Sequence, residues 1–192
     1  EVYRDGKIYA QEYHCGDAVA ELKVIGKTEK RGTKISFWPD TTIFDTVEFN
    51  FPTILNRLRQ QAYLTKGVAI SIVDEREEDE KKYRFYFEGG VKSYVRHLNK
   101  GKEAIGGIVY IEKEVPEGMI EVALQYNNSF QEIIYTFANN IHTIDGGMHL
   151  TGFKSALTRT INNYARKAEI LKEKDDNLTA DDVREGLTAI VS

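Results

Sequence analysis

Three basic side chains, Lys154, Arg159 and Arg166, are spaced along the most regular helical pattern in the sequence. Apolar residues recur every three or four positions around them and predict one packed helix face: Leu150, Phe153, Leu157, Ile161 and Tyr164. At 100° per residue, Arg159 and Arg166 fall roughly opposite that face and Lys154 borders it. Such a row can bind nucleic-acid phosphates, but an ordinary core-packing helix with solvated basic residues gives the same pattern.

The other reactive side chains lack partners at the spacing that catalysis or metal binding needs. None of the four histidines has a second histidine or a cysteine three or four residues away, and Cys15 beside His14 has no second pair. No G-x-S-x-G nucleophile turn and no G-x-x-x-x-G-K-[ST] phosphate loop occurs. The sequence therefore predicts no metal site and no catalytic residue in this chain.

Composition limits the remaining function classes. The 192 residues suit one or two small domains, and 41% hydrophobic with 29% charged residues is typical of a globular protein. No apolar run is long enough for a membrane span, and the single cysteine suits a reducing cytoplasm. The net charge of −4 argues against wrapping of nucleic acid over the whole surface. Any DNA contact must therefore come from a local basic face.

Turn signals and periodicity predict the elements that position these residues. Asp5-Gly6 indicates a hairpin over Glu1 to Tyr13, and Pro52 and Gly67 bound a helix. Thr179, with Asp182 three residues later, is typical of a helix N-cap. A second helix is predicted around Val91 to Leu98, and turns at Pro116-Glu117-Gly118 and at Asn127 to Ser129. The predicted strands are Ala20–Lys27, Gly32–Trp38, Val68–Asp74, Lys82–Phe87, Ile108–Glu112, Ile120–Tyr126, Glu132–Ala138 and one beginning at Leu187.

The stretch GGMHLTGFKSALTRTINNYARK closely resembles the transducer region of the B subunits of the type IIA topoisomerases, DNA gyrase and topoisomerase IV. Further segments with the same resemblance are RLRQQAYLTKG, YFEGGVKSYVRHLNK, VALQYNNSFQEIIYTFANNI and DVREGL. The matches run along almost the whole chain. In the first stretch the matching residues are Gly146, Gly147, His149, Gly152, Phe153, Arg159, Tyr164 and Arg166.

Two positions depart from the family pattern. Met148 stands where the family usually has a threonine that would cap the helix, and Thr151 could cap a helix that starts one turn later. Arg31 replaces the first threonine of a Thr-Gly-Thr segment, whereas Thr33 matches the second. The resemblance implies that Thr33 lies beside the adenine pocket and contributes to ATP binding.

The resemblance implies an α+β fold in two parts. Residues 1–88 would be the C-terminal part of a GHKL-type ATPase sandwich. Residues 89–192 would be a transducer domain of the ribosomal-protein-like, left-handed βαβ type, truncated before its nucleotide-sensing lysine loop. The remaining ligands of ATP and Mg²⁺ would lie upstream of Glu1 and beyond Ser192. The isolated chain is therefore expected to be an inactive piece of a longer protein.

The implied activity is the coupling of ATP hydrolysis to DNA strand passage and supercoiling, with gyrase favoured over topoisomerase IV. The implied partners are double-stranded DNA, the A subunit in a heterotetramer, and a second B subunit on ATP binding. Lys154, Arg159 and Arg166 would face the DNA cavity between two transducer domains. The alternatives are a standalone nucleic-acid-binding module that uses these basic residues, and an interaction scaffold without enzymatic linkage.

Overall fold

The computed structural model describes residues 1–116 and 118–192, and the chain forms two compact units, Glu1–Asn50 and Phe51–Ser192. Helix and strand layers together make the fold α+β, as predicted. The division falls between Asn50 and Phe51, so the boundary expected after Glu88 stays a prediction. Of the predicted turn Pro116-Glu117-Gly118, Glu117 lies outside the described residues.

The first unit is a small antiparallel sheet. Its strands are β1 (Val2–Arg4), β2 (Lys7–Ala10), β3 (Tyr13–His14), β4 (Asp17–Ala18), β5 (Lys23–Lys27) and β6 (Gly32–Thr33). The order β5-β2-β1-β6 forms one sheet, and β3 pairs with β4 separately. Asp5 and Gly6 have φ values of 53° and 73°, which the predicted two-residue hairpin turn requires. The predicted hairpin is therefore confirmed.

Strand β6 is much shorter than the strand predicted over Gly32 to Trp38. Thr33 pairs with Val2, and the last ladder-like bond joins the Lys34 amide to the Glu1 carbonyl at 2.8 Å. The β-favouring residues Ile35 to Trp38 therefore have no partner strand among the described residues, and the prediction is wrong for them.

The second unit consists of helices packed on both faces of a five-stranded sheet. Its elements are α1 (Phe51–Leu64), β7 (Ile70–Asp74), β8 (Lys81–Phe85), α2 (Val91–Leu98), β9 (Ala104–Val115), β10 (Gly118–Asn127), β11 (Ile133–Ala138), β12 (Ile141–His142), α3 (Met148–Lys167), α4 (Ala180–Arg184) and β13 (Leu187–Val191). The sheet order is β12-β11-β13-β10-β9, with β11 and β13 parallel and the other pairs antiparallel. Strands β7 and β8 form a separate hairpin. The connection from β11 to β13 therefore carries α3 and α4.

Strand β13 is the centre of the core. All five of its residues are buried, as expected for a strand with neighbours on both edges and helices on both faces. Ile190 packs with Val95 of α2, whereas Leu187 and Val191 belong to the opposite face, which Phe153 of α3 covers. Alternating side chains of this one strand thus join α2 and α3 through the sheet.

Helix α3 begins earlier than a capping threonine at position 151 would allow. It starts at Met148 after Gly147, which has φ 142° and no side chain that could cap the helix. Thr151 lies inside the helix, where its amide donates to the Gly147 carbonyl at 3.1 Å. Gly146 and Gly147 both have positive φ, and the helix begins directly after them without a hydroxyl cap, so the later start is wrong.

The buried face of α3 also differs from the predicted one at its C-terminal end. Tyr164 is 67% exposed, whereas Asn162 and Ala165 are buried. The reason is the segment that follows the helix and folds back on it. Asn162 donates to the Leu178 carbonyl at 3.0 Å and accepts from the Leu178 amide at 2.8 Å. Tyr164 is therefore wrongly placed in the apolar stripe.

Candidate functional site

Helix α3 carries all three predicted basic residues, and the structure gives each a different environment. Lys154 lies in the first half of α3, with its Nζ 2.5 Å from Glu132 Oε1 just before β11. Arg184 of α4 donates through Nε to the other Glu132 oxygen at 2.7 Å, and through Nη2 to Asp181 at 2.8 Å. Glu132 therefore ties α3 and α4 to the start of β11.

Two opposing influences set the ionisation of Glu132. Partial burial would by itself raise the pKa of this carboxyl, but the hydrogen bonds and charges of Lys154 and Arg184 outweigh burial and lower its pKa below the ordinary value. The carboxylate is thus ionised at neutral pH. In this structure Lys154 is paired with a carboxylate of the same chain.

Arg166 holds the segment that follows α3 against the helix through hydrogen bonds. Its Nε and Nη2 donate to Asn177 Oδ1 at 3.2 and 2.9 Å, and Nη2 also donates to the Asp175 carbonyl at 2.5 Å. Nη1 donates to the Lys172 carbonyl. The side chain is half-buried, so Arg166 does not face open solvent as a position opposite the packed face suggested. The cause is again the returning segment, which covers that end of the helix.

Arg159 is exposed, as the periodicity predicted. It makes no hydrogen bond or ion pair within the described ranges 1–116 and 118–192. Of the three basic residues, Arg159 is thus the one whose charge is fully available to a partner. The DNA-facing role itself stays a prediction for all three.

A series of hydrogen bonds anchors the start of α3, and the sequence analysis did not predict it. His149 Nε2 lies 3.1 Å from the hydroxyl of Thr143, which donates to the backbone carbonyl of Thr136 on β11 at 3.0 Å. The two threonine hydroxyls are 2.6 Å apart. The only sequence signal was that His149 matches the family pattern, because its partners come from a different element.

A second missed network lies in the core between α2 and β13. Asn99, Asn127 and Thr188 are all buried, and each bonds to the other two at 2.7 to 3.2 Å. Gly186, with φ 69°, precedes β13, and a Cβ there would overlap the carbonyl oxygen of Asn127 and lie 2.8 Å from that of Ser129. The network fixes the register of β13, because buried amides and hydroxyls are costly unless paired.

Thr33, the predicted ATP contact, lies on strand β6 of the first unit with an exposed side chain. Its backbone pairs with Val2. The hydroxyl is therefore open to a ligand, and the ATP-binding role stays a prediction.

The described part of the chain also defines what this site does not contain. Among residues 1–116 and 118–192, no three His, Cys, Asp or Glu side chains come together as a metal site. Within the same residues, no helix has the length and apolar character needed to cross a membrane.

Comparison with protein families gives a match to the family described as DNA gyrase B over residues 90–192. The gyrase B protein of Bacillus mycoides is 51% identical over 193 residues, which cover 100% of this chain and 48% of that relative. The corresponding protein of Halalkalibacterium halodurans is also 51% identical and is covered to 30%. The chain thus spans about half or less of the length of these curated relatives.

Solved structures show the same similarity. The 43K ATPase domain of Thermus thermophilus gyrase B, in complex with an aminocoumarin, matches 100% of this chain with a TM-score of 0.86 and 37% identity. The topoisomerase IV ATP-binding domain of Francisella tularensis, in complex with a small-molecule inhibitor, matches with a TM-score of 0.79 and 27% identity. The matches cover 52% of each of those two chains.

Proposed function

Because the chain belongs to the DNA gyrase B family, we propose that it forms part of the B subunit of an ATP-dependent type II DNA topoisomerase. The reaction would be the passage of one DNA duplex through another, with a change in supercoiling. Gyrase is favoured over topoisomerase IV because the two relatives that are 51% identical over the length of this chain are gyrase B proteins. The partners would be double-stranded DNA, the A subunit and a second B subunit. The reaction would take place in the cytoplasm.

The role we assign to this chain is mechanical coupling. Residues 1–88 would complete an ATPase domain, and residues 89–192 would form most of the transducer domain. The proposal rests on the attachment of the first half of α3 to the sheet and of its C-terminal end to the segment that follows it. His149 contacts Thr143 at the start of the helix, Phe153 packs on the sheet, and Arg166 holds the segment that leads to α4. A displacement of the sheet would therefore carry the helix with it.

Neither ATP nor Mg²⁺ fits the donor set of this chain by itself. Thr33 offers one exposed hydroxyl, and the part of the chain that the structure describes has no carboxylate cluster of the kind that Mg²⁺ takes. When bound, the nucleotide would supply the free energy of hydrolysis. The contribution of this chain would be one adenine-side contact and the movement of the sheet with α3.

The coupling role can be tested in a B subunit of the relatives' length, assembled with its A subunit. His149→Ala removes the polar anchor at the start of α3, which at roughly 1 kcal/mol is weak enough to keep the fold. We expect fewer supercoils per ATP hydrolysed, with DNA-independent ATP turnover unchanged. Ser155→Ala, on the exposed side of the same helix, is the matched control.

The supercoils introduced per ATP decide the outcome. An unchanged ratio in a folded His149→Ala protein would show that α3 does not transmit the movement. Loss of ATP turnover together with supercoiling would show a folding defect or a direct role in hydrolysis, and either would contradict the coupling assignment for His149.

A further inference from the structure

The second unit contains a cleft that the proposed coupling role does not use. It lies between α1, α2 and the start of β11 and has a volume of about 360 Å³. That volume is near the lower end of the ~300–1,000 Å³ typical of small-molecule sites. Among the described residues, its lining includes arginines, a histidine, amides and tyrosines but no carboxylate. The side chains around this cleft therefore carry positive charge without an internal counterion.

Arg57 is the best-placed cationic side chain in the cleft. Its Nη1 donates to Gln60 Oε1 at 2.5 Å and its Nη2 to the Asn140 carbonyl at 3.1 Å. These two bonds hold the guanidinium in place, and three of its five N–H donors remain for a ligand. A guanidinium held in this way can bind a carboxylate or phosphate with two parallel hydrogen bonds.

The charge around His97 indicates the same preference. Burial lowers the pKa of His97, and the positive charges of Arg59 and Lys100 lower that pKa further. The same positive charges that disfavour protonation of this ring favour an anion beside it. Arg59 also lines the cleft, with its guanidinium carbon 5.4 Å from the centroid of the Phe85 ring.

Aromatic rings form one wall of the cleft. Tyr63 and Tyr94 are stacked with centroids 4.7 Å apart and planes 4° apart, and Tyr135 follows at 6.3 Å and 13° from Tyr94. The Tyr94 oxygen accepts from Gln60 Nε2 at 3.4 Å, which leaves its own proton to donate. Parallel rings with polar tips offer both apolar contact and hydrogen bonds to a flat ligand.

We propose that this cleft binds a small aromatic anion. Its carboxylate or phosphate would pair with Arg57, and its ring would pack against Tyr135 and His97. Aromatic carboxylates and aromatic phosphates both have a planar ring that carries one anionic group. Whether that group is a carboxylate or a phosphate is left to the two arms of the test.

The test uses the ¹⁵N-labelled 192-residue chain and follows its amide chemical shifts during titration. The probes are benzoate and phenyl phosphate, with benzyl alcohol and inorganic phosphate as controls that lack the charge and the ring respectively. We expect saturable shifts around Tyr94 and Tyr135 with at least one aromatic anion and weaker binding of both controls. Arg57→Gln should weaken that binding about tenfold or more, as expected for a lost charge-assisted hydrogen bond.

Arg96→Gln is the matched control, because Arg96 is exposed on α2 beside His97 and does not line the cleft. A second variant, His97→Gln, removes a wall ring without breaking the bond from Arg57 to Asn140, and it should also weaken binding. The proposal is overturned if neither aromatic anion gives saturable shifts, or if benzyl alcohol binds as tightly as benzoate. It is equally overturned if both cleft variants bind like the wild type.

Discussion

Replacement of Glu132 by glutamine removes the charge that joins α3, α4 and β11 while keeping the side-chain shape. The carboxylate contacts Lys154 at 2.5 Å and Arg184 at 2.7 Å, and its side chain is 29% exposed. Solvent screens this triad in part. Its contribution to the free energy of unfolding is therefore larger than that of an exposed ion pair and smaller than the loss on breaking a buried one. We expect Glu132→Gln to lower the free energy of unfolding of the second unit by about 1–2 kcal/mol. For a protein of this size that corresponds to a fall in Tm of roughly 2–8 °C.

The pH dependence of this effect has a definite sign. Because the pKa of Glu132 is lowered in the folded state, its contribution is fully present above the unfolded pKa of about 4.3 and is lost as pH falls through the lower folded pKa. Thermal melts by circular dichroism at neutral pH and at about pH 3 should show the Tm difference shrinking in acid. Glu173→Gln, at an exposed site, is the control. If Glu132→Gln and Glu173→Gln have the same Tm at neutral pH, the assigned stabilising role of Glu132 is refuted.

Thr33 and Arg159 are the site residues whose proposed roles can be tested directly. Calorimetry on the isolated chain should detect no nucleotide binding tighter than millimolar, because one hydroxyl supplies about 0.5–1.5 kcal/mol and millimolar binding needs about 4; micromolar binding would contradict this. In a B subunit of the relatives' length, Thr33→Ala should weaken nucleotide binding about tenfold, and an unchanged affinity would make Thr33 an ordinary strand residue. In the same protein, Arg159→Glu should impair strand passage more than ATP turnover, with the loss depending steeply on salt; supercoiling equal to that of the control Lys172→Glu would remove Arg159 from the DNA-facing set.

The sequence by itself determined the elements whose signals are local. The hairpin turn at Asp5-Gly6 and helices α1 and α2 are confirmed, as is the capping box at the start of α4. In that box the Asp182 amide donates to Thr179 Oγ1 and the Thr179 amide to Asp182 Oδ2. Each depends on residues a few positions apart, so turn geometry, periodicity or a cap decides the structure before any long-range contact forms.

The tertiary structure alone decided which side chains these elements bring together. Strand β13 pairs in parallel with β11, so that Thr136 lies opposite Val191, and Asn99 meets Thr188 across 89 positions of the chain. The length of a segment or its periodicity carries no information about such partners. The pairing follows from which buried faces and polar groups can be satisfied at the same time.

The same distinction explains the errors along α3. The predicted helical period is correct, but Tyr164 is exposed and Arg166 is half-buried because a later segment folds back over that end of the helix. Lys154 is paired because Glu132, from a different part of the chain, lies against it. Helical periodicity fixes the angular position of each side chain around its own axis. The part of the helix surface that becomes buried depends on the segments that pack against it, and only the folded chain determines those.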